Sequence, residues 1–216
     1  MNPTFKKILY TIEFLILFFG VPLYLFFDGN FIRPSSLLLP ILVALILYFR
    51  KQKEFKARDL IKLGISKQMW MTQAVIVLII GIFLTAYVLV FEKQNLFNLP
   101  KGNPVIWIAM LFFYPVFSAY GQEVVFRKFM FMRYKPLFTQ KWKMILASGI
   151  TFSFVHIVYF STLSLILTFF AGIYLALLYD KTKSVLFVSI LHGIMGFLIF
   201  TVGLGQHFWI DMLEWL

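Results

Sequence analysis

Seven stretches of mostly apolar residues dominate the chain, at 8–27, about 31–49, 71–91, 104–120 or a little beyond, 144–160, 163–179 and 185–202. No other feature constrains the fold as strongly. A helix rising 1.5 Å per residue needs about 20 apolar residues to cross the hydrocarbon of a bilayer. Lipid offers no partners to backbone N–H and C=O groups, so only helices or closed barrels span it, and runs this long without period-2 alternation are helices. The expected fold is therefore an all-α membrane protein, a polytopic bundle of about seven transmembrane helices forming a single domain over residues 1–216. Composition supports this: 61% hydrophobic and 13% charged residues exclude a water-soluble globule, and 28 Phe with 10 Tyr exclude disorder. The absence of Cys removes disulfides, thiolate metal sites and a cysteine nucleophile together.

The second stretch is the weakest, because Arg33 and Pro34 interrupt its start. The first is read as a retained span rather than a secretory signal, since it contains Glu13 and no small-residue cleavage site follows it. Charge then sets the orientation. Of the 20 basic residues, 17 fall on one side of a seven-span topology: Lys6 and Lys7, seven between Arg50 and Lys67, six between Arg127 and Lys143, and Lys181 with Lys183. Arg33, Lys93 and Lys101 fall on the other side, with Asp28, Glu92, Asp211 and Glu214. The positive-inside rule then puts the amino terminus in the cytoplasm and the carboxyl terminus outside. Topology thus accounts for the net charge of +11, with attraction to the head groups of the lipid bilayer as a secondary effect. Nucleic acid is not an expected partner. Between the second and third spans, residues 51–68 mix bases with Phe55, Leu60, Ile61, Leu63 and Ile65, a pattern expected of a short helix on the inner surface.

Ionisable groups inside spans are costly in lipid and mark working sites. Four stand out: Glu13, Glu123, His156 and His192. Glu123 and Arg127, four apart, lie on one helical face and can pair, whether as an interfacial salt bridge or as part of a site. His156 follows Phe152 by four; its ordinary explanation is a buried imidazole bonded to a neighbouring carbonyl. His192 has Gly196 one turn later and can equally be a packing residue. Glu13 has no partner visible in the sequence and is expected to snorkel to the interface. Together, three spans that each bring an acid or an imidazole form the minimum set for acid–base chemistry on water, with or without a metal.

The order and spacing of these groups resemble the CPBP family of intramembrane proteases, which comprises the type II CAAX prenyl endopeptidases and the bacterial Abi proteins. The family motifs Glu-Glu-x-x-x-Arg, Phe-x-x-x-His and His-x-x-x-Asn correspond to Gln122-Glu123-Val124-Val125-Phe126-Arg127, Phe152-Ser153-Phe154-Val155-His156 and His192-Gly193-Ile194-Met195-Gly196. Gly172 through Ser184 also resembles the family's Gly-rich span and following turn, so the likeness covers about 104–205. The resemblance implies a membrane-embedded hydrolase, in a bacterial cytoplasmic membrane, acting on a membrane-associated peptide or protein substrate. It implies that His156 and His192 position a water, directly or as ligands of a divalent metal such as zinc, with Glu123 as base or third ligand and Arg127 as its orienting partner.

Two positions depart from the pattern. The family's water-activating Glu is Gln122, an amide that takes up no proton at physiological pH. Glu123 replaces it only if the helix is turned by about 100°, the angle between neighbours. The family's oxyanion-stabilising Asn is Gly196. These changes, together with Gly203-Leu204-Gly205, resemble a divergent branch of the family. They keep open a second function, a catalytically degenerate member acting as a membrane scaffold or binding partner. A small transporter ranks third, for want of an inverted repeat. Zincin, rhomboid and aspartyl mechanisms each lack a required residue.

Overall fold

The structure is a computed structural model that describes residues 2–28, 34–53 and 55–208. Arg33, Asp211 and Glu214, counted above for topology, lie outside these residues. The chain is helical throughout its long elements, and no strand occurs among the described residues. Among the described residues, six helices are long and apolar enough to cross a membrane: α1 (Thr4–Phe27), α3 (Lys67–Phe91), α4 (Pro104–Arg133), α5 (Lys141–Tyr159), α6 (Thr162–Thr182) and α7 (Val185–Val202). A shorter helix, α2 (Pro34–Arg50), completes the seven, with its apolar part at Leu39–Arg50. The chain is an integral, multi-pass membrane protein.

Local chemistry explains where the helices begin and end. Side-chain oxygens of Asn2, Ser66, Asn103, Ser161 and Ser184 each accept a hydrogen bond from a first-turn N–H of α1, α3, α4, α6 and α7 respectively. The turn between α5 and α6 places Phe160 in the left-handed region, at φ 52°. Beyond α7, Gly203 has φ 112°, and a Cβ there would stand 2.0 Å from the Asn95 carbonyl oxygen, so the sequence needs glycine twice over.

Two boundaries differ from the sequence expectation. The fourth span does not stop near residue 120 but continues to Arg133, so Arg127, Lys128 and Arg133 belong to the helix rather than to a following loop. It holds together past its polar residues because these are paired within the protein, and it takes two wide π-helical turns, Tyr114–Ala119 and Val124–Phe129, on the way. The expected surface helix over 51–68 is reduced to four residues, Arg58–Ile61, with irregular backbone around it.

The chain folds into two compact units. The first comprises the described residues of Met1–Phe55 and Glu123–Lys183, the second those of Lys56–Gln122 and Ser184–Leu216. In the first, α5 packs along α6 at a crossing made by small residues: a Cβ on Gly172 would lie 3.0 Å from the Gly149 α-carbon, and one on Gly149 would lie 2.5 Å from the Ile173 Cγ1. The amino-terminal helix is fixed in the same unit by Phe14 and Phe18, whose rings meet Tyr134 at 5.1 and 5.9 Å. In the second unit, α7 packs against α3 and against the first π turn of α4, with Trp70 edge-on to Phe187 at 4.8 Å.

Glu13 has partners that the sequence does not reveal. It accepts hydrogen bonds from Arg133 Nε at 2.9 Å, Arg133 Nη2 at 2.5 Å and the Tyr134 hydroxyl at 2.9 Å. The Arg133 guanidinium also lies 4.5 Å from the ring centre of Tyr10. Burial, reinforced by the bond to Glu13, pushes the Tyr134 phenol above its ordinary pKa, so it remains a donor.

Candidate active site

The polar residues singled out in the sequence divide between the two units. The first unit holds Glu123, Arg127 and His156. Glu123 and Arg127 are both fully buried, and Arg127 Nε meets Glu123 Oε2 at 3.0 Å, the i,i+4 pair expected from their spacing. Arg127 Nη1 also donates to Ser148 Oγ on α5 at 2.7 Å, and Ser148 Oγ donates to the Phe126 carbonyl at 3.0 Å. The guanidinium carbon lies 5.2 Å from the centre of the Phe152 ring. In a pair this deep the opposite charges offset one another, and removal of one strands the second.

Phe152 links that pair to the second motif. Its ring stands 4.9 Å from the His156 ring, and its carbonyl oxygen lies 2.7 Å from His156 Nδ1. A carbonyl can only accept, so Nδ1 carries the proton and Nε2 of the neutral ring keeps the lone pair. His156 is buried at 7% exposure, in the tight last turn of α5. The sequence reading of a buried imidazole bonded to a nearby carbonyl therefore describes this contact correctly, and the contact also selects the tautomer that a proton acceptor needs.

The second unit holds Gln122, His192 and Gly196. Gln122 Nε2 donates to Ser118 Oγ, one turn earlier, at 2.9 Å. Its Oε1 is buried and has no hydrogen-bond partner among the described residues. His192 is buried at 7% exposure, with the hydroxyl oxygen of Tyr114 3.4 Å from its Nε2. That tyrosine escaped the sequence reading, because one Tyr among ten in an aromatic-rich chain carries no local signal. It stands directly over Gly196: a Cβ there would be 2.3 Å from Tyr114 Cε1 and 2.4 Å from its hydroxyl oxygen.

An apolar cavity of about 780 Å³ in the second unit lies elsewhere. It is an apolar groove between α3 and α7, lined on α7 by Leu191, Ile194 and Leu198 rather than by His192 or Gly196. Its lining suits lipid chains, and it presents no proton-transfer group.

A catalytic zinc takes three protein ligands and an open position. Within either unit, no group of three His, Asp or Glu side chains among the described residues is placed to hold a metal ion. The donor set therefore does not fit a metal centre in either unit taken by itself.

Comparison with known families agrees with the motifs. Residues 104–198 match the family described as Type II CAAX prenyl endopeptidase Rce1-like, over a little under half of the chain. No curated protein and no solved structure matches. The matched segment begins with α4 and extends into α7, so it contains all three motifs, Gln122 to Arg127, Phe152 to His156 and His192 to Gly196. Residues 104–198, which carry these motifs in order on helices long and apolar enough to span a membrane, are thus similar to the CAAX-type proteases of that family.

Proposed function

We propose that the chain is an intramembrane endopeptidase that hydrolyses a membrane-proximal peptide bond by acid–base catalysis on water. The observation that carries this reading is the state of His156, a buried imidazole within the family match whose Nδ1 proton is held by the Phe152 carbonyl. His156 Nε2 is then the general base. The oxygen of water adds to the peptide carbonyl carbon while its proton passes to Nε2. The tetrahedral adduct carries an oxyanion. The imidazolium then returns the proton to the leaving nitrogen as the C–N bond breaks.

The other groups support that step. Glu123 and Arg127 are positioning residues: their ion pair holds the guanidinium against Phe152, and Phe152 orients His156. Gln122, an amide, takes up no proton at physiological pH. His192 is a second buried imidazole within the family match, in the other unit. Catalysis is assigned to these side chains, and the response to EDTA tests whether a metal takes part. The substrate is a membrane-associated peptide or protein, and the amino terminus is cytoplasmic, in a bacterial cytoplasmic membrane.

The test is cleavage of a membrane-anchored reporter peptide by the purified chain in liposomes. His156→Ala and His192→Ala are expected to lower kcat by about 10³-fold or more, since general base catalysis contributes roughly 10²–10⁴. EDTA is expected to leave the wild-type rate unchanged. A folded His156→Ala variant cleaving at the wild-type rate would sink the hydrolase reading, and loss of activity to EDTA with recovery on added zinc would move the chemistry to a metal. Gln122 and Gly196 favour one alternative, a scaffold without catalysis. That reading requires a stoichiometric partner whose binding ignores His156→Ala and His192→Ala.

A further inference from the structure

We propose that Ser148, a residue outside the three motifs, is a positioning residue for the hydrolysis: its hydroxyl fixes the Arg127 guanidinium against Phe152, the residue whose carbonyl sets the His156 tautomer. The inference rests on the hydrolase reading above and deepens it. Every residue concerned lies within the first unit.

Spacing places Ser148 where it can act. Ser148, Phe152 and His156 follow one another at intervals of four, so they lie near one face of α5. Ser148 is fully buried, one turn before Phe152. Facing it is the second π turn of α4, Val124–Phe129, which holds Phe126 and Arg127. Three groups close a ring there. Arg127 Nη1 donates to Ser148 Oγ at 2.7 Å, Ser148 Oγ donates to the Phe126 carbonyl at 3.0 Å, and Arg127 Nη1 lies 3.4 Å from that same carbonyl.

The chemistry of the groups fixes the direction of each bond. A serine hydroxyl has one O–H donor and two lone pairs, a carbonyl can only accept, and a guanidinium can only donate. The Ser148 proton is therefore committed to Phe126, and its lone pairs face Arg127. An alcohol is what the position requires, since an alkyl side chain makes neither bond.

The ion pair by itself does not place the guanidinium relative to α5. Glu123 and Arg127 belong to one helix, and their contact at 3.0 Å is internal to it. The bond to Ser148 reaches across to α5, 21 residues away in sequence. Together the two contacts hold Nε and Nη1, two points of a rigid planar group, so the plane has little freedom to turn. Its carbon stands 5.2 Å from the centre of the Phe152 ring, and that ring stands 4.9 Å from the His156 ring. Ser148 thus acts on the imidazole through Arg127 and Phe152. Proton transfer by His156 requires near-attack placement, and a small displacement there costs rate.

The experiment measures kcat, KM and the folded fraction for Ser148→Ala and Ser148→Cys in the liposome cleavage assay. Ser148→Ala is expected to lower kcat per folded molecule by about tenfold with KM unchanged, within the ~10²-fold that misplacement of about 1 Å can cost. Ser148→Cys, with a weaker donor and acceptor on the same frame, is expected to fall between Ala and wild type, and it reads the effect even where the Ala variant does not fold. A third comparison separates positioning from packing. Arg127→Lys keeps a charge opposite Glu123 but has no Nη1. In that background Ser148→Ala is expected to lower kcat by less than about threefold, because the bond it removes is already gone. Wild-type kcat in folded Ser148→Ala or Ser148→Cys, in a protein whose activity still requires His156, overturns the inference and leaves the hydrolase reading standing. So does an undiminished loss in the Arg127→Lys background. Wild-type protein that cleaves no membrane-anchored peptide overturns both.

Discussion

At the scale of single residues, the site depends on how buried charge is satisfied. Arg127 and Glu123 are fully enclosed, and neither has water to fall back on. Replacing Arg127 with Met keeps much of the side-chain volume but strands the Glu123 carboxylate and unties Ser148. Losing one partner of a buried pair costs about 3–5 kcal/mol, so Arg127→Met is expected to lower the unfolding midpoint in detergent sharply. Arg127→Met, Glu123→Gln should recover part of that loss, because the second change removes the stranded charge; a double variant no more stable than the single one would contradict this account. The pair was legible from its i,i+4 spacing. Its third member, Ser148, lies 21 residues from Arg127 on another helix and was not.

At the scale of helices, hydropathy located the spans well and their polar ends poorly. A window average falls where Gln122, Glu123 and Arg127 enter, so α4 reads as ending near residue 120, although it runs to Arg133. The polar groups end the hydropathy signal without ending the helix, since Glu123 and Arg127 pair with each other and Arg127 with Ser148 inside the first unit. With the extension, Glu123 lies ten residues before the helix end at Arg133, about 15 Å along the axis at 1.5 Å per residue. The crossing of α5 and α6 is a second property of whole elements. A Cβ at Gly172 would approach Phe152 Cβ to 3.1 Å, and Phe152 is the residue whose carbonyl holds His156. Gly172→Val is therefore expected to do two things: cost about 1–3 kcal/mol by overpacking, and lower kcat beyond what reduced folding explains. Cleavage per folded molecule, normalised by the fraction surviving size-exclusion chromatography, separates the two. Wild-type kcat in the folded fraction would show that the crossing does not position His156.

At the scale of the whole molecule, the charge asymmetry makes a claim about α2 that length cannot make. Its apolar part, Leu39–Arg50, is shorter than the other spans, yet Lys6 and the bases after Arg50 share one side of the membrane only if α2 crosses. The chain has no Cys, so single introduced cysteines report topology without background. Lys6→Cys, Lys53→Cys and Lys181→Cys are expected to be labelled by an impermeant maleimide only from the cytoplasmic face of inverted vesicles, and Lys93→Cys only from the opposite face. Labelling of Lys6→Cys and Lys53→Cys from opposite faces would mean that α2 does not cross, and the orientation would have to be rebuilt on six spans.

The division between what the sequence determined and what the tertiary structure decided follows the range of the physics involved. Transfer of about 20 apolar residues into hydrocarbon is a local free energy, so the number and approximate limits of the helices are written in the chain itself. So are the positive-inside asymmetry and the i,i+4 relations of Glu123 with Arg127 and of Phe152 with His156. The partners of single polar groups are not, because they depend on how each helix is rotated and where it crosses its neighbour. Glu13 meets Arg133 across 120 residues of sequence, and Tyr114 reaches His192 across 78. Gly196 shows the difference most plainly. In the sequence it is a missing side chain; in the folded second unit its place is taken by a phenol from another helix, because two glycines on α7 let that helix approach closely enough to fill it.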